Sequence, residues 1–155
     1  MTWVIRPALP ADLPAISALE QAAFASDRFS PRQFRYLLTR ARATFLVAVD
    51  GGTLLGYAVS LYRTGTRRAR LYGIAVADAA RGQGVATALV EAIAAAARTQ
   101  GCTALGLEVR ADNDAAQALY RKLGFVAAGV LPDYYEDGTA ARRMRRALTG
   151  ALQPS

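Results

Sequence analysis

Histidine is absent from the 155-residue chain. Without it, Ser-His-Asp and Cys-His nucleophilic catalysis are excluded, as is any His-ligated zinc. A single cysteine, Cys102, excludes an internal disulfide and leaves Cys-only metal sites short of thiols. Long apolar runs are also missing. The Ala-rich stretch 85–97 is interrupted by Glu91 and is shorter than a bilayer crossing requires. Residues 1–13 carry Arg6, Pro7, Pro10 and Asp12 where a signal peptide needs a continuous apolar segment. The expectation is a cytoplasmic protein with no metal. Lysine is nearly missing too: Lys122 is the only one beside eighteen arginines.

What is present suits one folded domain. Hydrophobic residues make up 53% and charged residues 20%, which argues against disorder. A chain of this length buries roughly two thirds of its unfolded surface and needs no disulfide or structural metal. Residues 1–149 are read as one domain and residues 150–155 as a loose tail. The net charge is +7. Arginine pairs bidentately with phosphate and carboxylate, so the excess suits a phosphate-bearing cofactor, an acidic partner or nucleic acid. A codon preference for Arg and Ala is the plainer explanation.

Hydrophobic spacing gives the order of elements. Residues 2–7 read as a strand with Trp3 and Ile5 on one face. Asp12 reads as an N-cap ahead of Leu13, Ile16, Leu19 and Ala23 at helical spacing. Ser30-Pro31 opens a second helix whose stripe is Phe34, Leu37 and Leu38. Residues 44–49 and 54–62 form a hairpin with a three- or four-residue loop around Gly51-Gly52. A strand over 70–76 follows. Then come a helix over 82–98 with Val85, Leu89, Ile93 and Ala97 on one stripe, a strand over 103–110, and a helix from Asn113 to Leu123. Gly101 and Gly124 read as helix stops. Residues 125–130 and 142–148 close the chain as strands. Antiparallel strands first and a strand–helix–strand unit later imply an α/β, mixed α+β fold with helices on both faces of a mixed sheet.

The most informative segment joins the strand Ile74-Ala75-Val76 to the long helix: Arg81-Gly82-Gln83-Gly84-Val85-Ala86-Thr87. The first amides of a helix lack internal partners and carry the positive end of its dipole. Glycines let such a backbone close on an anion, and Arg81 can add a charge-assisted bond. The turn suits a pyrophosphate. It is not a Walker loop, which needs a lysine, nor a dinucleotide fingerprint, which needs a third glycine where Thr87 stands. An ordinary glycine-bearing helix start is the alternative.

Arg81-x-x-Gly84-x-Ala86 resembles the Arg/Gln-x-x-Gly-x-Gly/Ala signature of the GCN5-related N-acetyltransferase (GNAT) superfamily. The block from Leu107 through Glu108, Asn113 and Tyr120 to Phe125 resembles the ribosomal-protein-alanine N-acetyltransferases of that superfamily. So do the stretch from Glu20 to Phe34 and the loop holding Tyr134, Tyr135, Asp137 and Gly138. The chain departs from the pattern in lacking a proline after Asp78 and in the basic run Arg142, Arg143, Arg145, Arg146. The resemblance implies a GNAT fold: a mostly antiparallel sheet of six or seven strands, a parallel central pair and about four helices. It implies acetyl-coenzyme A as co-substrate. The acceptor would be a protein or peptide N-terminus, a ribosomal protein among the candidates, with a lysine side chain, a polyamine or another small amine as the alternative. Nucleic acid would not be a direct substrate.

The resemblance also assigns residues. Ile74, Ala75 and Val76 would offer backbone groups to the pantetheine arm, with the Val76 amide polarising the acetyl carbonyl. Residues 81–87 (Arg81, Gly82, Gln83, Gly84, Val85, Ala86, Thr87) would hold the diphosphate, and Asn113 would touch the arm while capping its helix. With no histidine, the base must be a carboxylate or a water held by one. Glu108 is the candidate, on a strand face with Cys102, Ala104, Gly106 and Arg110; the alternative is an ion pair with Arg110 or Arg81. Tyr120 is the candidate acid, its phenol protonated at neutral pH, and otherwise a core-edge tyrosine. Tyr134 and Tyr135 would shape the acceptor groove. Cys102 reads as a small buried filler, and Trp3 and Phe45 as core. For a polyamine acceptor the only acidic cluster is Asp133, Glu136 and Asp137. A reading of another class is a non-catalytic acyl-coenzyme A-binding or basic RNA-binding module.

Overall fold

A computed structural model describes residues 2–148. Seven strands form one sheet: β1 (Val4–Pro7), β2 (Ala43–Asp50), β3 (Thr53–Tyr62), β4 (Arg68–Val76), β5 (Ala104–Arg110), β6 (Val126–Leu131) and β7 (Ala141–Ala147). Their order is β1-β2-β3-β4-β5-β7-β6. Every pairing is antiparallel except β4 with β5. The helices are α1 (Leu13–Ala23), α2 (Pro31–Thr39), α3 (Val85–Thr99) and α4 (Asp114–Lys122). The expected tail lies outside the described residues.

Side-chain alternation on the strands divides the interior into two cores. On one face Leu71, Leu105, Leu107, Val109 and Met144 pack with Val85, Leu89, Ile93 and Ala97 of α3 and with Phe125. On the other, Phe45, Val47, Tyr57 and Val59 pack with Ile16 of α1 and Phe34 of α2. Helices therefore cover both faces, as the element order implied. Phe45 is buried, whereas Trp3 only flanks the first core. Cys102 is a free, buried thiol, and burial pushes its pKa up, which suits a filler.

Local chemistry explains the boundaries. Ser30 caps α2, its Oγ accepting from the Gln33 N–H at 3.1 Å, with Gln33 reciprocating to the Ser30 N–H at 2.7 Å and Pro31 first in the helix. Asp12 does not cap α1. It ends a 3-10 turn (Pro10–Asp12), and its carboxylate instead accepts from the Leu9 N–H and the Arg6 guanidinium. The β2–β3 hairpin is tighter than expected, because Asp50 pairs with Thr53 and only Gly51-Gly52 make the loop. Gly51 adopts φ +59°, as such a turn needs. Helix α3 begins at Val85 rather than at Gly82, since Gly82 and Gly84 both hold φ near +80° and cannot lie inside a right-handed helix.

One topological feature prepares the site. The parallel β4–β5 pairing covers only Arg68–Arg70 against Ala104–Gly106. Beyond it the strands part, so the second half of β4 has β3 on one edge and no strand on the other.

Candidate active site

Where β4 and β5 part, a cleft of about 490 Å³ opens on the α1/α2 face of the sheet. Glu108, Tyr120, Asn113, Tyr134, Tyr135 and Ile74 all line it. These residues come from β4, β5, α4 and the β6–β7 loop, and only the sheet order brings them together.

Glu108 reaches the cleft because Leu105, Leu107 and Val109 turn to the α3 core, leaving Ala104, Gly106, Glu108 and Arg110 on the opposite face. Its side chain is 15% exposed. The alternative partners, Arg110 and Arg81, form no ion pair with it among the described residues. Arg70 of β4 stands 2.7 Å from Oε1, and Arg143 of β7 stands 3.9 Å from Oε2. The Arg70 contact is an ion pair without hydrogen-bond alignment, and Oε1 is buried with no hydrogen-bond partner. Arg70 also donates to the Tyr134 hydroxyl at 3.0 Å and lies over the Tyr72 ring.

Tyr120 sits on the inner side of α4, edge-on to Phe125. Burial, with Tyr135 nearby, pushes its phenol up to about 12. It stays a proton donor throughout the neutral and mildly alkaline range. Asn113 caps α4, its Oδ1 accepting from the Ala116 N–H at 3.0 Å.

Arg110 holds the rim of the cleft. Its guanidinium donates to Asp27 (2.9 Å) in the α1–α2 loop, and to Asp137 and Thr139 (2.9 Å to Thr139) in the β6–β7 loop. It also lies over the Tyr135 ring. Asp27 holds φ +57°, unusual for a residue with a side chain, while its carboxylate meets Arg110. The Thr139 N–H and then Arg110 hold the Asp137 carboxyl down at about 2. On the inner side of the α1–α2 loop, the buried Glu20 carboxylate accepts from the Tyr57 hydroxyl (2.7 Å) and the Phe29 N–H (3.0 Å). Gly73 allows Phe29 its position: a Cβ there would stand 2.7 Å from the Phe29 ring.

The turn after β4 lies apart from this cleft. Gly82 and Gly84 face open space, and among the described residues the Arg81 side chain is held only by an exposed ion pair to Asp78 at 3.1 Å. The first backbone bond of α3 runs from the Ala88 N–H to Gly84 O. The N–H groups of residues 82–87 find no backbone acceptor among the described residues, and no side chain caps the helix. Ala75 is buried, so only its main chain could serve a ligand. The Ala77 N–H donates to Leu55 O of β3; by strand alternation the Val76 N–H points the other way, into the gap left by β5.

The spacing rules missed Arg70, Tyr72 and the Arg110–Asp27–Asp137 clamp. Arg70 meets Glu108 only through the pairing of β4 with the sequence-remote β5, Tyr72 lies on the same strand, and Asp27 and Arg110 are 83 positions apart. Tyr72 carried one local signal, an aromatic on the strand that leads into the glycine turn.

Comparison with known proteins meets the same picture. The acetyltransferase (GNAT) family matches residues 13–125. The N-alpha-acetyltransferase RimI of Mycobacterium tuberculosis is 36% identical over 140 residues, covering 88% of this chain and 87% of that protein. The crystal structure of the ribosomal-protein-S18-alanine N-acetyltransferase from Escherichia coli superposes with a TM-score of 0.84 at 31% identity, covering 99% of this chain and 98% of that one. The NatC complex, solved with Gag peptide and CoA, superposes with a TM-score of 0.81 at 26% identity, covering 96% of this chain and 100% of that one. The chain therefore belongs to the GNAT acetyltransferase family and is an acetyl-CoA-dependent acetyltransferase.

Proposed function

We propose that the acceptor is the N-terminal α-amine of a polypeptide, and that the acetyl group passes to it directly while both substrates are bound. The observation that carries this reading is the cleft itself. A poorly exposed carboxylate and a protonated phenol line one space that the tyrosine-bearing β6–β7 loop flanks. The named relatives, which include N-alpha-acetyltransferases and an enzyme acting on a ribosomal-protein alanine, support the same reading. A ribosomal-protein N-terminus and a cytoplasmic setting are its most specific form.

The residues present fit acetyl-CoA. The unpartnered amides of residues 82–87 and Arg81 would hold its diphosphate, as helix N-termini hold anions. The free edge of Ile74, Ala75 and Val76 would hold its arm beside Asn113. Bound there, it supplies an acetyl thioester.

Glu108 accepts the proton that the attacking amine loses, directly or through a water. Arg70 and Arg143 beside it repel an ammonium, so the groove favours an amine that is already neutral. An α-amine (pKa about 7.7–8.0) meets that requirement at cellular pH far better than a lysine (about 10.4). The Val76 N–H points toward the gap in which charge would develop on the carbonyl oxygen. Tyr120 delivers a proton to the departing sulfur. Tyr134 and Tyr135 bound the acceptor. A polyamine is a poorer fit, because Asp137, one of only three acidic residues in its loop, is already taken by Arg110.

Thiol release measured against N-terminal peptides, lysine peptides and polyamines tests this. N-terminal peptides should react fastest. A preference for polyamines or lysine side chains overturns the acceptor assignment.

A further inference from the structure

A second concavity, a trough of about 1000 Å³, lies between α2 and the N-terminal half of β4. Six arginines line it, Arg32, Arg40, Arg42, Arg63, Arg68 and Arg70, and no Asp or Glu does. Among the described residues only Arg70 of the six has a carboxylate partner, Glu108. The others are exposed, and Arg42 spends one N–H on Thr64. Like charges crowded round an open groove repel one another unless an anion enters, and low-dielectric walls focus their field into it. The floor is apolar, with Leu37, Leu61 and Ala69.

The trough is continuous with the active-site cleft. Arg70 and Tyr72 line both. Arg68 is in register with Ala104, and Arg70 with Gly106. Ala104 lies four strand residues from Glu108, about 13 Å at the usual rise. An extended acceptor whose first residue sits at Glu108 would reach the level of Arg68 about four residues later.

From this we infer that the arginine trough binds an acidic stretch of the acceptor polypeptide, at about positions 4–7 from the amine, and so selects substrates by charge. This rests on the α-amine reading given above. Continuity with the amine cleft favours a polypeptide over RNA as occupant, because whatever fills the trough is joined to what is acetylated.

The test compares Ala-initiated decapeptides with four Glu, four Gln or four Lys at positions 4–7, read by thiol release with the full chain. The Glu peptide should exceed the Gln peptide in kcat/KM by roughly ten-fold, through KM rather than kcat, and the Lys peptide should fall below both. The advantage should shrink several-fold as salt rises from about 0.05 M to about 0.5 M. Replacing Arg40, Arg63 and Arg68 together by Gln should reduce the Glu/Gln ratio to about two, and replacing them by Glu should invert the order of the Glu and Lys peptides. Equal turnover of Glu and Gln peptides would overturn the trough's role and leave N-terminal acetylation standing. If no peptide reacts while a small amine does, the α-amine reading falls and takes this one with it. A single-stranded oligonucleotide that inhibits Gln-peptide turnover more strongly than an N-acetylated Glu peptide would overturn the proposal in favour of nucleic acid.

Discussion

Strand β5 presents two unlike faces from one backbone. Leu105, Leu107 and Val109 are almost fully buried against α3, while Ala104, Gly106, Glu108 and Arg110 alternate with them toward the cleft and its rim. The first set holds the sheet to its helix. The second contributes little burial and carries the proposed base, Glu108, and the loop clamp at Arg110. Stability and activity are therefore expected to separate residue by residue along this one strand, and substitutions one position apart should fail in different ways.

The largest effect is expected on the polar face. Glu108→Gln should lower kcat by about 10²–10⁴-fold with the fold intact by circular dichroism, and Tyr120→Phe should do so to a similar degree. Thiol release at saturating peptide reads both. On the apolar face Leu107→Ala should cost about 2–5 kcal/mol in a denaturant titration while leaving kcat of the remaining folded enzyme near the parent value. If Leu107→Ala abolished turnover without loss of stability, the two faces would not be separable.

The clamp sharpens the comparison. Arg110→Gln should raise the peptide KM about ten-fold and lower kcat less, because it frees the α1–α2 and β6–β7 loops without touching the reacting groups. The pH dependence is subtler. The Asp137 carboxyl is held at about 2, below its usual range, so its pairing is complete above the ordinary carboxylate pKa and is lost only as pH falls through about 2. The peptide KM should therefore show no acid-side rise from this clamp between pH 8 and pH 5. The Tyr120 phenol is raised to about 12, so kcat should show no fall assignable to it up to about pH 11. A fall near pH 10 that Tyr120→Phe removes would contradict the buried setting of that phenol.

Much of this was legible in the residue pattern, and for a definite reason. Alternation in Leu105, Leu107 and Val109 and helical spacing in Val85, Leu89, Ile93 and Ala97 are local signals, and they marked the elements and the inward and outward faces. Glu108 and Tyr120 were named through the resemblance of the block from Leu107 to Phe125 to a known family, with the outward strand face of Glu108 as the local support. The start of α3 was misplaced because helical spacing is blind to φ, and only the positive φ of Gly82 and Gly84 stops the helix at Val85. Arg70, Tyr72 and Asp27 escaped because their roles depend on the β4–β5 register and on loops joined across the whole sheet. Asp12 misled for a related reason: a carboxylate before a helix can cap it, but a guanidinium at Arg6 and the Leu9 N–H claimed it.

By the function proposed above, the turn at residues 82–87 and the cleft at Glu108 and Tyr120 are two ends of one substrate path. A crystal structure with acetyl-CoA tests it most directly. The diphosphate should lie within hydrogen-bond distance of the residue 82–87 amides, with the sulfur beside the Tyr120 hydroxyl. A diphosphate bound elsewhere, or a sulfur directed away from that cleft, would contradict it.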